Sequence, residues 1–201
     1  PVMRVAITGS SGFIGSRLVA ALGQDPEAEA ILGLDLNPPR EPAAKLAFVR
    51  QDITQPMDEA FRQHQVDAAI HLAFIVDPMH DVARMREINL KGTENFIRAC
   101  EAAGVKSIVA ASSATAYGAH PDNPDPLTED RPLRGNPEYS YSHDKMTMEK
   151  MFDDFSARHP EVRVGLLRPS IVLGPHVSNF ISRMIKSRVI YSFRDASPPW
   201  Q

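Results

Sequence analysis

The chain has little of several features that would mark specialised classes of protein. Cys100 is its one cysteine among 201 residues, so an internal disulfide is excluded and a reducing cytoplasm is the expected location. No apolar run approaches the roughly 18 residues that a spanning helix needs, and the first residues show no signal-peptide pattern. Because the seven histidines lack the spacing of metal ligands, we predict no metal site.

Charge of one sign is also scarce. The formal net charge is -3, which gives no electrostatic reason to expect nucleic acid or an anionic membrane as a partner. Hydrophobic residues make up 43% of the chain and charged residues 23%, as is ordinary for a globular protein. A function must therefore be sought in local motifs, with a small molecule as the expected substrate.

Strand-like and helix-like patterns alternate along the chain, which favours an α/β fold with a parallel sheet covered on both faces. Short apolar runs predict strands at Arg4–Thr8, Ala30–Asp35, Ala47–Arg50, Ala68–Leu72, Ser107–Ser112 and Val162–Arg168. Helical patterns occur at Phe13–Leu22, Met57–His64, Val82–Ala103 and Ser142–Ala157. Between the last strand pair, residues 119–139 carry five prolines and predict a surface loop that ends beside the last of these helices.

Three glycines follow the first predicted strand. Gly9, Gly12 and Gly15 open a helix, which is the context that a dinucleotide fingerprint requires, although their spacing is one residue wider than the commoner one. Absent side chains let the backbone approach a pyrophosphate at the helix N-terminus. Asp35 ends the second strand and is placed to accept hydrogen bonds from an adenine ribose, which favours NAD over NADP. A turn ahead of Asn37 is the structural alternative for Asp35.

Tyr141 and Lys145 lie one helical turn apart. A free phenol has a pKa of about 10, but an ammonium on the same helix face favours the phenolate. Such a tyrosine can take the proton of an alcohol near neutral pH. Tyr139 is a rival base, but it has His143, not a lysine, four residues further on. A solvated helix pair is the structural alternative.

Taken together, these residues resemble the extended short-chain dehydrogenase/reductase family, also called the NAD-dependent epimerase/dehydratases. The resemblance covers about residues 3–175 and implies a Rossmann-type doubly wound parallel sheet. Its motifs are the glycine run, Asp35, Asp52-Ile53, His71-Leu72-Ala73, Asn89 with Gly92-Thr93, Ser112-Ser113 with Tyr117-Gly118, Tyr141 with Lys145, and Arg168-Pro169.

The resemblance implies NAD as cofactor and assigns contacts to it. The cofactor-binding set is Gly9, Gly12, Phe13, Ile14, Gly15, Asp35, Asp52, Ile53, Leu72, Ala73, Tyr141 and Lys145. Asp52 has the alternative of capping the following turn, and Leu72 and Ala73 that of simple core residues. His71 is interpreted as a packed strand histidine.

The resemblance also implies a catalytic set of Ser113, Tyr141 and Lys145. Tyr141 would exchange the proton of a secondary alcohol, Lys145 would lower its pKa and bind the nicotinamide ribose, and Ser113 would bind the reacting oxygen. Ser112 is a rival serine, but the match to sugar epimerases favours Ser113. His143 and Asp144 are interpreted as exposed helix residues without a role.

Three functions follow from the resemblance. The first is an NAD-dependent oxidoreductase or epimerase, with nucleotide-sugar 4-epimerisation as one form of the reaction. The second is a dehydrogenase or reductase of a hydrophobic ketone or alcohol, because Phe74-Ile75-Val76 and Ile171 replace the pattern usual in nucleotide-sugar enzymes. The third is an NAD-sensing protein without turnover.

The organisation of the chain is expected to be an NAD-binding domain over residues 1–175, followed at 176–201 by the start of an incomplete substrate-binding region. Family members are about half as long again, so a truncated chain is expected. A helix is predicted within Asn179–Ile190. By resemblance, a homodimer would form through the helices Val82–Ala103 and Ser142–Ala157.

Overall fold

A computed structural model describes residues 2–77, 80–175, 177 and 180–187, and its centre is one parallel sheet. The six strands lie in the order β3-β2-β1-β4-β5-β6, and every neighbouring pair is parallel. The strands are β1 (Met3–Thr8), β2 (Ala28–Asp35), β3 (Leu46–Arg50), β4 (Ala68–His71), β5 (Ser107–Ala111) and β6 (Arg163–Leu167). This is the predicted doubly wound Rossmann-type sheet.

Parallel pairing requires crossover connections, which are usually helical, and helices connect all consecutive strands except β2 and β3, which residues 36–45 join without a helix. The helices are α1 (Phe13–Gln24), α2 (Asp58–Gln63), α3 (Val82–Ala103), α4 (Ser140–Arg158) and α5 (Phe180–Ile185). A short 3-10 helix, Ala114–Tyr117, follows β5. Among the described residues, no helix is both long enough and apolar enough to cross a membrane.

The order of the strands positions the site. The chain winds outward from β1 through β2 to β3, and then returns to β4 on the other side of β1. At this reversal the carboxyl ends of β1 and β4 leave a crevice, which is where open α/β sheets bind their ligands. The glycine run follows β1, and the predicted catalytic serine follows β5 on the same edge of the sheet.

The core has two parts, one on each face of the sheet. The larger packs α2, α3 and α4 against the sheet and contains the fully buried rings of Phe61, Phe96, Phe152 and Phe155. The smaller packs Val19 of α1 against Val5, Ile7 and Ile31. Cys100 is buried in the larger part as a core residue, where burial raises the pKa of its thiol well above the ordinary value.

All six predicted strands and the first four predicted helices are present, with ends that differ by at most two residues. Helix α4 begins at Ser140 instead of Ser142, with Tyr139 at its N-cap. Helix α5 lies inside the predicted segment Asn179–Ile190, of which residues 179 and 188–190 lie outside the described residues.

Candidate cofactor and catalytic site

The glycine loop joins β1 to α1 by a tight turn. Gly9 has φ +73°, a backbone conformation that favours glycine. A Cβ on Gly9 would lie 2.8 Å from the amide nitrogen of Ala73, and one on Gly15 would lie 2.1 Å from the carbonyl oxygen of Gly9. Strand end, loop and helix therefore touch backbone to backbone.

The start of α1 suits an anion. Its N-cap residue, Gly12, has no side chain to cap the helix, and no acidic residue occurs in the first turn. The first amide groups of a helix and its dipole favour negative charge. Phe13 and Ile14 begin the helix, and the Ile14 side chain is exposed. The residues present fit a dinucleotide pyrophosphate.

Asp35 lies at the carboxyl end of β2, as predicted. Its Oδ2 accepts a hydrogen bond from the amide of Ser11 at 3.0 Å, and its Oδ1 accepts one from the amide of Asn37 at 3.0 Å. The carboxylate thus fixes the glycine loop and its own turn together. Asp35 therefore does stabilise the turn ahead of Asn37, as the structural alternative predicts. The same hydrogen bonds hold its carboxylate beside the crevice.

Other residues of the predicted cofactor-binding set follow β3 and β4 at the carboxyl edge of the sheet. Leu72 and Ala73 follow β4, where the amide of Leu72 donates to the carbonyl oxygen of Thr8 at 3.1 Å. Asp52 caps the turn after β3, since its Oδ1 accepts from both the amide and the hydroxyl of Thr54 at 2.8 Å. Ile53 is buried against Gly92, and its carbonyl oxygen accepts from Asn95 at 2.8 Å.

The three predicted catalytic side chains come together at the end of β5. The Ser113 hydroxyl oxygen accepts hydrogen bonds from the amide and the hydroxyl of Thr115, and the Ser113 side chain lies close enough to Tyr141 to act on the pKa of its phenol. The Lys145 ammonium nitrogen lies 5.7 Å from the centre of the Tyr141 ring and donates to the carbonyl oxygen of Ala111 at 2.6 Å. The sequence-predicted trio is thus assembled from β5, the 3-10 helix and α4.

The pKa of Tyr141 differs from the sequence-based expectation. Burial raises the pKa of Tyr141 above its ordinary value, and the Ser113 side chain only partly opposes this. Burial also lowers the pKa of Lys145 to about 7, while the charge of Glu149 acts in the opposite direction. Desolvation of both groups therefore outweighs their proximity, because the lysine is itself only partly charged near neutral pH.

Ser112, the rival serine, has a different role. It donates a short hydrogen bond to the buried carboxylate of Glu149, which also accepts three hydrogen bonds from Arg168, the shortest at 2.7 Å. The hydrogen bond with Glu149 raises the pKa of Arg168 further above its ordinary value. Arg168 also donates a hydrogen bond to the Tyr117 hydroxyl oxygen at 2.7 Å. This network, which ties β6 to α4, was missed; Glu149, four residues after Lys145, was the available signal.

The prediction that Asp144 is an exposed helix residue is wrong. Its side chain is fully buried between α3 and α4. Burial raises its pKa, opposed by a hydrogen bond from Asn89 at 3.4 Å and by Arg86, whose guanidinium lies 3.5 Å away. Asn89 also accepts a hydrogen bond from the amide of Ile75 at 2.8 Å. Asp144 and Asn89 thus hold the segment that follows β4.

His71 is the packed strand histidine that the sequence predicted. Its ring nitrogens lie 2.7 Å from the Thr8 hydroxyl and 3.2 Å from the Thr93 hydroxyl, and its ring stacks on Phe96 with centroids 4.6 Å apart. Burial, and to a smaller extent the charge of Lys145, lowers the pKa of His71 to about 3. A neutral imidazole therefore joins β1, β4 and α3 beneath the crevice.

Comparison with known proteins shows the family of this chain. The model of the NAD dependent epimerase/dehydratase family matches residues 5–193. The chain belongs to this family, which confirms the predicted family and, for the family as a whole, the NAD cofactor.

Individual relatives include sugar-nucleotide enzymes. UDP-glucose 4-epimerase of Bacillus subtilis is 34% identical over 193 residues, which are 89% of this chain and 56% of the relative. The enzyme WbmG of Bordetella bronchiseptica, crystallised with NAD and UDP, is 28% identical with a TM-score of 0.73 and covers 88% of this chain and 56% of its own. MoeE5, crystallised with UDP-glucuronic acid and NAD, is 30% identical with a TM-score of 0.77, covering 91% and 60%. The chain spans a little over half the length of these relatives.

Proposed function

We propose that this chain is the cofactor-binding part of an NAD-dependent oxidoreductase or epimerase that acts at a secondary alcohol or ketone carbon. The proposal depends above all on one observation: Ser113, Tyr141 and Lys145 meet at the sheet edge that also carries the glycine loop. The cofactor-binding set and the division near residue 175 belong to the same proposal. So does the cytoplasmic location predicted from the single cysteine.

Bound NAD would accept hydride from the substrate carbon and return it. The residues of this chain would handle the proton. The phenol oxygen of Tyr141 would take the proton from the substrate hydroxyl. Ser113 would hydrogen-bond the substrate oxygen and hold it within transfer distance of Tyr141. Lys145 shares the buried face with Tyr141 and would favour the phenolate when protonated. Because burial alone raises the Tyr141 pKa, a neighbouring positive charge is needed for this step near neutral pH.

A nucleotide sugar is the substrate class we favour. The support comes from the relatives, since UDP-glucose 4-epimerase of Bacillus subtilis is 34% identical and MoeE5 was crystallised with UDP-glucuronic acid. By resemblance, Ala114 and Thr115 stand where sugar dehydratases have an additional acid pair, which disfavours dehydration.

A hydrophobic ketone or alcohol is the second candidate. A specific observation favours it: the segment after β6 exposes Ile171, Val172 and Leu173, and Val76 is exposed after β4. An NAD sensor without turnover is the least favoured candidate. The chain has both Tyr141 and Lys145, and their side chains lie close together.

A screen of the whole protein with NAD, UDP-sugars and hydrophobic ketones separates these candidates. We expect interconversion of a UDP-sugar by the wild type, and its loss in Tyr141→Phe with NAD binding retained. Turnover of ketones alone would favour the second candidate. Absence of all turnover, with normal NAD binding in both proteins, would favour the sensor.

We further propose that the whole protein forms a homodimer through α3 and α4. The outer face of these helices has a shallow groove lined by Leu90 and Met151, with Arg86, Glu87 and Lys91 at its edge. Apolar centres with charged rims are common in homodimer interfaces. Light scattering should give twice the mass of one chain, and Leu90→Glu should halve it. A monomeric wild type would contradict the dimer.

A further inference from the structure

An aromatic ring lies against both proton-handling side chains. The Lys145 ammonium nitrogen lies 3.6 Å from the centre of the Phe74 ring, over its face. The same ring meets Tyr141 edge-to-face, with centroids 5.8 Å apart and an interplanar angle of 84°. Phe74 thus faces the lysine and the tyrosine at once.

The Phe74 ring helps to stabilise the positive charge of the buried Lys145 ammonium. Lys145 is 3% exposed and donates a hydrogen bond to the carbonyl oxygen of Ala111. The negative face of an aromatic ring attracts a cation, and this attraction is strongest where water is excluded. Around the ammonium, the titratable groups are Tyr141 and Glu149 on its own helix and His71 on β4. His71 is neutral, so Phe74 adds to the stabilisation that Glu149 gives from a distance.

The backbone next to Phe74 is held in place. The amide of Ile75 donates to Asn89 at 2.8 Å, and Asn89 donates to the fully buried Asp144 at 3.4 Å. Asp144 precedes Lys145 in α4. The helix that carries the lysine therefore also fixes the segment that carries the ring.

We propose that Phe74 is a positioning residue of the candidate catalytic site, whose ring face receives the Lys145 ammonium while the same ring packs edge-to-face with Tyr141 and aligns it. This inference rests on the proposed function for its catalytic meaning. It deepens that function, because it assigns a role to the apolar segment Phe74-Ile75-Val76 that distinguishes this chain from the usual nucleotide-sugar pattern.

Nuclear magnetic resonance of the lysine side chains tests the contact directly. In the wild type, the Hε protons of Lys145 should resonate upfield of those of the other lysines, because they lie over a ring face. An Hε resonance of Lys145 at the position of the exposed Lys150 would overturn the proposal. This measurement needs no variant and no substrate.

Two variants then test the charge. Phe74→Leu keeps an apolar side chain, so Lys145 stays desolvated but loses the ring, and its protonation equilibrium should shift about tenfold, lowering its pKa by about one unit. Phe74→Tyr keeps the ring and should leave the pKa of Lys145 as in the wild type. An unchanged pKa in Phe74→Leu, or an equal shift in both variants, would overturn the proposal.

NAD titration of the same samples separates the inference from the function on which it rests. Wild-type protein that shows the upfield resonance and the pKa shift but does not bind NAD would contradict the proposed function while supporting the role of Phe74. Where NAD binds, the alkaline limit of the pH profile of turnover should move to lower pH in Phe74→Leu and stay in place in Phe74→Tyr.

Discussion

Burial of single ionisable residues changes their pKa and makes the stability of the fold depend on pH. Lys145 is the clearest case: an unfolded lysine is protonated up to about pH 10.4, whereas burial lowers the folded-state pKa of Lys145 to about 7. Between these two values the unfolded chain binds more protons, so stability rises with pH through this window. Below pH 7 the full penalty of the buried charge remains.

Lys145→Met should therefore stabilise the fold while removing the proposed activity. We expect the free energy of unfolding at pH 7 to increase by about 1–3 kcal/mol, with a gain that shrinks as pH rises towards 10. Urea denaturation at several pH values measures this. Lys150→Met, at an exposed position of the same helix, should change stability by less than about 0.5 kcal/mol. A loss of stability in Lys145→Met would contradict the assigned burial penalty.

His71 should make the fold sensitive to acid. Its folded-state pKa is about 3, below the ordinary value of about 6.5, so the unfolded chain takes up a proton first as pH falls. The stability that depends on neutral His71 is complete above pH 6.5 and is lost between pH 6.5 and 3, at up to about 1.4 kcal/mol per pH unit.

The variant His71→Gln should flatten this part of the pH dependence, although it costs stability at pH 7.5. Its free energy of unfolding, compared with that of the wild type between pH 7.5 and 5, gives the slope directly. His80→Gln, at an exposed position, serves as the control and should keep the wild-type slope. Equal slopes in wild type and His71→Gln would show that another group controls the acid limb.

At the scale of elements, the contact between α4 and β6 depends on one buried ion pair. The Glu149 side chain is 1% exposed and that of Arg168 20%. Arg168→Met would leave the carboxylate buried without its cation, which costs about 3–5 kcal/mol. The double variant Glu149→Met with Arg168→Met should recover most of that loss, because two packed apolar side chains replace the pair.

Thermal or urea unfolding of the single and double variants forms a double-mutant cycle for this pair. Arg158→Met removes an exposed ion pair with Glu101 and should cost at most about 1 kcal/mol. A loss for Arg168→Met no larger than that of Arg158→Met would mean that the pair does not hold α4 against β6.

The junction of β1 and α1 should not accept a side chain at Gly15. A Cβ there would lie 2.1 Å from the Gly9 carbonyl oxygen, so Gly15→Ala should cost about 1–3 kcal/mol and weaken NAD binding. Gly165→Ala in β6, where the nearest atom would be 3.9 Å away, should be nearly neutral. Calorimetry with NAD and urea denaturation measure both effects, and equal behaviour of the two variants would contradict the close-packed loop.

Elements were predictable from the sequence where the signal was local. Short apolar runs located each strand, helical patterns located the helices, and glycines after a strand located the loop. The burial of Asp144 was not predictable, because it arises where α3 crosses α4. The direction of the Tyr141 pKa also depended on tertiary burial, which the spacing of Tyr141 and Lys145 does not reveal.

For the molecule as a whole, strand order decides what the local motifs can do together. The reversal at β1 and β4 brings the glycine loop, the end of β4 and the end of β5 to one crevice. Motifs separated by more than 100 residues, such as Gly9 and Tyr141, thereby lie at the same edge of the sheet. The order of the motifs along the chain indicated this arrangement, whereas the buried networks of Glu149 and Asp144 that hold it became apparent only in three dimensions.

The proposed function requires that Tyr141 exchanges the substrate proton while hydride moves to and from bound NAD. Rapid-mixing fluorescence of the reduced nicotinamide, in the whole protein saturated with NAD and mixed with a UDP-sugar, follows that event directly. We expect a transient signal in the wild type whose rate is lower by about two or more orders of magnitude in Tyr141→Phe, with unchanged NAD affinity. A transient of equal rate in both proteins would contradict the proposed function.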